Sequence, residues 1–408
     1  MKTRYALIKP NTKKGQYGAL AELSAIEMPL WLLLLSNLYE DSLIIDAEAQ
    51  GLNRLGILMT CQNNGITNAI ILNTGSQPSA IYQQSDESSR VRLLLQMNGV
   101  PTVVYDHLPF NPMNIGSPKY SRLPLQKYRA HNWHSWGYPE RSPYGSIYTS
   151  ISCPFHCDFC CIHSFYNHPY QVREVMDVLE DAVQLRRLGI THVKIMDELF
   201  AIKGAHLKEL SRELNLLNLG LNMWGYARID TVDEESLRAC KAMGVNWLAY
   251  GIESADRETR QKSGKGKFTN EDIRQVVDMT KDCGINVVGN FIFGFADDDW
   301  GSMQRTLDFA QELNCEYSNF YCMTPYPTSK ISEGTPTQSP ASYAQYSKDF
   351  KPMATRFRSG EDVREFRDRA FKTYYQNFGY LHSIQEKFGK NVVEQINAMT
   401  AIDIVRDK

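Results

Sequence analysis

Short apolar runs alternate with longer amphipathic segments along most of the chain. In the first ~110 residues the strand-like runs are Tyr5-Ala6-Leu7-Ile8, Ser42-Leu43-Ile44-Ile45-Asp46, Ala69-Ile70-Ile71-Leu72 and Pro101-Thr102-Val103-Val104-Tyr105. Helix-like segments separate them at residues 29–39, 52–62 and 88–97. The runs are apolar throughout rather than every second residue, which marks strands buried on both faces, hence a parallel sheet covered by helices. The pattern predicts an α/β, doubly wound (Rossmann-like) domain over residues 1–110, with ligands expected at the carboxyl ends of its strands.

Residues 111–143 break the alternation with Pro112, Pro118 and Pro124 and then an aromatic, histidine-rich stretch at 128–138. This reads as a linker, in which His131 and His134 are either interdomain packing or functional groups. From residue 144 the alternation resumes. Strand candidates at 147–150, 193–196, 222–227, 247–252, 287–293 and 317–322 are interleaved with helices at 172–188, 204–217, 234–243, 270–283 and 302–313. Six such units predict a partial (βα)6 barrel over 144–330, with its site on the loops at the carboxyl ends of the strands. Residues 331–408 begin polar and close in two amphipathic helices, 361–377 and 381–399, a C-terminal helical cap.

Composition narrows the class. Forty-four basic and 46 acidic residues among 408 leave a formal charge of −2, without the basic excess of a general nucleic-acid binder. The longest apolar stretch, residues 28–35, is too short to span a membrane, and the amino terminus has no apolar leader core. Nine cysteines, four of them within 153–161, favour metal binding or catalysis in a reducing compartment over a disulfide framework. A cytoplasmic protein with a cysteine-bound metal site is expected.

The strongest chemical signal is Cys153-Pro154-Phe155-His156-Cys157-Asp158-Phe159-Cys160, a C-x3-C-x2-C loop directly after the first strand of the second domain. Three thiolates on one loop suit three iron corners of a 4Fe–4S cluster and leave the fourth open to an external ligand. Structural zinc, with Cys161 or His156 as a fourth ligand, is the alternative that spacing leaves open. Cys161 follows Cys160 immediately and reads as a buried small hydrophobe.

This loop, with an aromatic residue before its third cysteine, resembles that of the radical SAM superfamily. So do the strand-end sequences that follow it in order: Met196-Asp197-Glu198, Tyr226-Ala227-Arg228-Ile229-Asp230, Gly251-Ile252-Glu253-Ser254, Asn290-Phe291-Ile292-Phe293-Gly294 and Thr324-Pro325-Tyr326-Pro327. The resemblance implies that Cys153, Cys157 and Cys160 hold a 4Fe–4S cluster whose open iron takes S-adenosylmethionine. It also implies that Asp197 or Glu198 receives the ammonium and Arg228 the carboxylate, where a planar fork binds well. Glu253, with Ser254 beside it, would accept the ribose hydroxyls. Tyr226, Asn290, Phe159 and Phe291 would complete the cofactor-binding wall. Reduction then yields a 5′-deoxyadenosyl radical, the cofactor carrying the hard chemistry.

The N-terminal part is similar to the cobalamin-binding domain of the cobalamin-dependent radical SAM group, at Ile26-Glu27-Met28-Pro29-Leu30-Trp31-Leu32, at residues 44–52 and in the loop 74–80; the linker run 127–134 and the C-terminal helices resemble that group too. Here the domain is shortened: the fourth strand runs into Asp106-His107-Leu108-Pro109-Phe110 with no fifth strand, and no Asp-x-His-x-x-Gly segment is present. Two outcomes therefore stay open. With cobalamin, the expected reaction is methylation of an unactivated carbon of a small metabolite. Without it, hydrogen abstraction leads to rearrangement, elimination, dehydrogenation or ring closure. Cys322, ending the sixth strand, is the candidate hydrogen or proton donor, or else a packed core cysteine; Tyr148, Tyr321 and Tyr326 line the cavity or merely pack. A small redox protein is the expected electron donor, and neither nucleic acid nor membrane is an expected partner. A non-catalytic metal-binding module is the alternative of another class, and an RNA- or peptide-modifying enzyme lacks its usual accessory domains in this sequence.

Overall fold

The computed structural model describes residues 3–73, 80–335, 338–404 and 406. Four strands, β1 (Tyr5–Lys9), β2 (Leu43–Asp46), β3 (Asn68–Leu72) and β4 (Thr102–Tyr105), form one all-parallel sheet in the order β2-β1-β3-β4. Strand alternation gives its faces different neighbours. Ala6, Ile8, Ile45, Ala69 and Ile71 pack with Ile57, Cys61, Val91 and Leu95 of the covering helices Arg54–Asn63 and Ala80–Met97 in a core of their own. Leu7, Ile44, Ile70 and Leu72 belong instead to a core that runs on without interruption into the second domain, through the fully apolar helix Leu30–Leu35.

That second domain is a six-stranded parallel sheet: β5 (Tyr144–Ile147), β8 (His192–Ile195), β9 (Asn222–Ala227), β10 (Val245–Glu253), β11 (Asn286–Phe293) and β12 (Tyr317–Cys322), hydrogen-bonded in that spatial order. Between β5 and β8 a two-residue strand, β6 (Ser150–Ile151), pairs antiparallel with β7 (Gln171–Val172), and the cysteine loop is everything between them. The small ladder thus clamps the base of that loop.

Six strands leave the barrel open between β12 and β5. The linker fills the amino-terminal end of the opening. Trp133 meets Trp224 and Trp247 with ring centroids 5.1 Å apart and Tyr317 at 5.7 Å. His134 is wholly buried, its Nε2 3.0 Å from the Asn222 carbonyl, so it is a packing residue of this plug. The C-terminal helices Gly360–Tyr375, Phe378–Phe388 and Lys390–Thr400 cover β12, where the Tyr374, Tyr375 and Tyr380 hydroxyls donate to the carbonyls of Cys315, Ser318 and Glu316.

Several boundaries differ from the sequence pattern. The helix expected from residue 172 starts at Val175, because residues 171–172 are taken by β7. The last helix divides at Gly389, whose φ of +88° is a conformation that a side chain resists. The helix expected at 88–97 begins at Ala80. The loop at 74–79 lies outside the described residues. Among the described residues no helix is long and apolar enough to cross a membrane.

The plug has a measurable weight. Trp133→Ala removes the ring that three barrel aromatics pack against, and it should lower unfolding stability by about 3–5 kcal/mol, read as a fall in the midpoint of chemical denaturation followed by far-UV circular dichroism.

Candidate active site

The cysteine loop opens over the carboxyl ends of the barrel strands. Ser152, immediately before it, has φ +63°, turning the chain out of β6. Asp197, at the end of β8, is fully engaged with the strand that leads in: it accepts from the Thr149 amide at 2.6 Å and the Ser150 hydroxyl at 2.7 Å. Buried at 1% exposure, this carboxylate ties β8 to the entry of the loop. It does not face the cavity, and its neighbour Glu198 does.

Cys153, Cys157 and Cys160 are each half-buried and line one cavity of about 310 Å3. Burial pushes all three thiols above the usual cysteine range, so without metal they are neutral thiols. Among the described residues no three His, Cys, Asp or Glu side chains are gathered closely enough to hold a single metal ion. Three thiols on one loop facing a common hollow suit three corners of a cluster.

Arg228 is committed to the loop rather than to an incoming carboxylate. Its Nε and Nη2 each donate to Asp230 at 2.9 Å, Nη2 also donates to the Lys265 carbonyl, Nη1 lies 3.5 Å from the Cys157 Sγ, and the guanidinium sits 3.8 Å over the Phe155 ring. It holds Phe155 and Cys157 in place.

The residue that sequence reading passed over is Lys265. It is buried, lines the cavity and pairs with Glu253 at 2.8 Å. Burial alone would lower its ammonium pKa, but Glu253 and the nearby Cys157 outweigh that and raise it. Its signal was the Ser263-Gly264-Lys265-Gly266-Lys267 turn, where Gly264 (φ +72°) passes within 2.9 Å of the His156 carbonyl for any added Cβ. Glu253 reaches the cavity through a register shift at the end of β10 and a φ of +67°. Such a bulge re-aims a side chain at a local cost in backbone strain. A Cβ on Gly251 would collide with both members of the Glu253–Lys265 pair.

The remaining candidates divide by strand alternation. Tyr226, Asn290 and Phe159 line the cavity as expected. Phe291 does not: it is fully buried on the helical side of β11, stacked on Phe320 at 5.6 Å, and Ile292 takes its place at the cavity wall. Ser254 also turns away, with its hydroxyl 3.4 Å from that of Thr306 and accepting from the Asp256 amide at 3.1 Å. Cys322 contributes to the wall, but its thiol points at the Val363 carbonyl, 3.9 Å away on the helical side, and burial pushes it up to about 11. The side chain that β12 offers to the hollow is Tyr321. Tyr326 lines the cavity as well, whereas Tyr148 is buried beneath Arg173, 4.1 Å from its ring centroid. Cys161 is buried, as the sequence suggested, at the edge of the same wall. Gln16, Tyr17 and Gln83 bring the N-terminal domain to the opposite side.

Glu198 makes the site pH-sensitive in the cluster-free protein. Burial, with the Asp197 charge, prevails over the opposing Lys194 and raises its carboxyl from 4.5 to about 8. A raised carboxyl favours the folded state only while protonated, so the contribution is complete below about 4.5 and disappears as pH climbs through about 8. Glu198→Gln should therefore become progressively more stable than the parent across that interval and match it at the acid end, a divergence visible in denaturation midpoints measured against pH.

Comparison with known proteins agrees with this geometry. Residues 147–310 match the family model of the radical SAM superfamily. An uncharacterized methyltransferase of Pyrococcus horikoshii is 29% identical over 224 residues, 55% of this chain and 47% of that protein. The cytidylyl-2-hydroxyethylphosphonate methyltransferase of Streptomyces wedmorensis is 25% identical over 266 residues, 62% of this chain and 47% of that protein. The chain thus spans about half the length of these curated relatives. In fold it is similar to the radical S-adenosylmethionine methyltransferase TsrM from Kitasatospora setae, solved with cobalamin and a [4Fe–4S] cluster bound: the TM-score is 0.65 at 15% identity, over 98% of this chain and 100% of that one. The three-cysteine loop and most of the wall of the strand-end cavity lie on the part of the chain, residues 147–310, that matches the radical SAM superfamily model.

Proposed function

We propose that the chain methylates an unactivated carbon of a small molecule, using a 4Fe–4S cluster, S-adenosylmethionine and a cobalamin held between the two domains. The observation that carries this reading is the shared cavity: the cysteine loop and barrel strand ends form one wall, and Gln16, Tyr17 and Gln83 of the N-terminal domain the other. The methyltransferase relatives and the whole-length fold likeness to TsrM support it. The cofactors supply a methyl carrier and, on one-electron reduction, a 5′-deoxyadenosyl radical able to abstract hydrogen from carbon.

The chain's own residues bind, orient and exclude water. Cys153, Cys157 and Cys160 would hold the cluster, and Arg228 fixes the middle of their loop. Glu198, neutral when nothing is bound, loses its proton readily against an ammonium and so receives the amino end of S-adenosylmethionine. Lys265 offers its carboxylate end a buried positive charge. Glu253, pinned by Lys265 through one oxygen, keeps the other for ribose hydroxyls. Phe159 and Ile292 give apolar faces to the adenine. Asp197 acts as a positioning residue through Thr149 and Ser150. The electron comes from a small redox protein, and nucleic acid is not a substrate.

Anaerobic reconstitution with iron, sulfide and hydroxocobalamin, followed by reduction in the presence of S-adenosylmethionine, tests the reading. The intact protein should form 5′-deoxyadenosine and show a bound-cobalamin spectrum, and Cys157→Ala should abolish nucleoside formation. Cleavage without any retained cobalamin would move the reaction to cobalamin-independent hydrogen abstraction. No cleavage by a fully loaded protein would reject the enzyme.

A further inference from the structure

Inward of the site cavity, toward the amino-terminal ends of the strands, lies a second chamber of about 140 Å3. Tyr17, Tyr226, Asn290, Tyr321 and Tyr346 line both spaces, so the chamber continues the cavity into the barrel. Its wall carries an ion cluster to which three parts of the chain contribute. Lys194 on β8 lies 3.4 Å from both carboxylate oxygens of Glu27, which follows β1, and the linker's His131 Nε2 is 3.3 Å from Glu27 Oε1. The Lys194 ammonium also sits 4.9 Å over the Trp224 ring.

Burying such ions is costly, and well-packed apolar residues usually stabilise a core at least as well. The contacts are also looser than those of the chain's tight buried pairs, 2.7 Å for Arg173–Asp181 and 2.8 Å for Lys265–Glu253. Burial alone would raise the Glu27 carboxyl, yet Lys194, His131 and Lys9 outweigh it and hold it at about 2, so it is an ionised acceptor at ordinary pH. The surrounding walls are flat and aromatic, from Trp133, Trp224 and Tyr317. A charged donor and a charged acceptor side by side, between ring faces, define what fits: a ring that stacks, with a polar edge that bonds to both.

We infer that the inner chamber receives the distal part of the substrate, a planar aromatic or heteroaromatic group whose edge carries a hydrogen-bond donor next to an acceptor. Glu27 takes the donor and Lys194 the acceptor. The inference names a substrate class for the methylation proposed above and rests on that reading only in treating the occupant as substrate.

Two probes separate ring from edge: 2-quinolone, with adjacent N–H and C=O groups, and naphthalene, the same outline without them. In saturation-transfer NMR titrations the reconstituted enzyme should bind 2-quinolone about tenfold or more tighter than naphthalene, the scale set by leaving buried polar groups unpaired. Glu27→Leu/Lys194→Met, which removes both charges and both hydrogen-bonding groups together and leaves neither ion alone, should bind the two probes alike. Retention of the preference by that variant, or no preference in the parent, overturns the inference. Ala249→Leu fills the chamber without touching the ions and should weaken 2-quinolone about tenfold or more by occlusion; unchanged affinity there likewise overturns the inference, even if the double variant does not fold. Formation of 5′-deoxyadenosine, assayed on the same preparations, reports the reaction separately, so loss of probe preference and loss of catalysis are distinguishable.

Discussion

A sheet of six parallel strands with ordinary twist curves but does not close, and the two unpaired edges, β5 and β12, have to be covered by something. Most of the architecture follows from how this chain covers them. Three segments distant in sequence meet in the opening: residues after β1, the tryptophan-rich linker and the C-terminal helices. Each brings aromatic rings, because large flat side chains fill an irregular gap with few rotatable bonds and much buried area. Where the filling is complete, around Trp136, Trp247 and Phe388, the barrel is a packed core, and the inner chamber opens on the other side of Trp133. Where it is incomplete, toward the carboxyl ends, there is a cavity.

Polar groups in that cavity obey a division of labour set by their hydrogen bonds. Asp197 and Arg228 have their bonding capacity taken up by neighbouring chain, so they shape the loop that bears the cysteines. Glu198 and Lys265 retain a face toward open space. The sequence pattern ranks Asp197, Glu198 and Arg228 alike, as charged residues at strand ends, and passes over Lys265; only the bonding of each side chain separates support from contact.

The legibility of the chain follows the same logic. Nine of the ten major parallel strands were readable close to their observed positions, because short apolar runs flanked by helices have few alternatives; the first barrel strand, expected at 147–150, lies at Tyr144–Ile147, and Ser150–Ile151 forms the small antiparallel ladder instead. That Cys153, Cys157 and Cys160 face one hollow from a single loop was foreshadowed by their close spacing. Strand alternation was harder. Phe291 sits at a motif position yet lies one residue out of register with the cavity, which meets Ile292 instead, and Cys322 reaches the wall with its thiol directed away at the Val363 carbonyl; a period of two flips the face with a single step. Ser254 was misplaced for a related reason, since the shift at the end of β10 aims Glu253 inward and sends the next residue toward Thr306. Lys265, Glu27 and Lys194 were missed because they meet only through tertiary packing, across sequence distances that no local pattern encodes. The helix break at Gly389 was missed because amphipathic periodicity continues on both sides of it.

The apolar core that passes from one face of the N-terminal sheet through Leu30–Leu35 into the barrel has a consequence for how such a protein changes over evolutionary time. Two domains joined by a tether can be exchanged or lost as separable parts. Here the first domain is half of an interior, and the residues next to Glu27 close a hollow that belongs to the second. Neither half can be replaced without rebuilding the other's inner surface, so the two have to diversify together, and new specificities arise by substitution along that shared seam rather than by shuffling of modules.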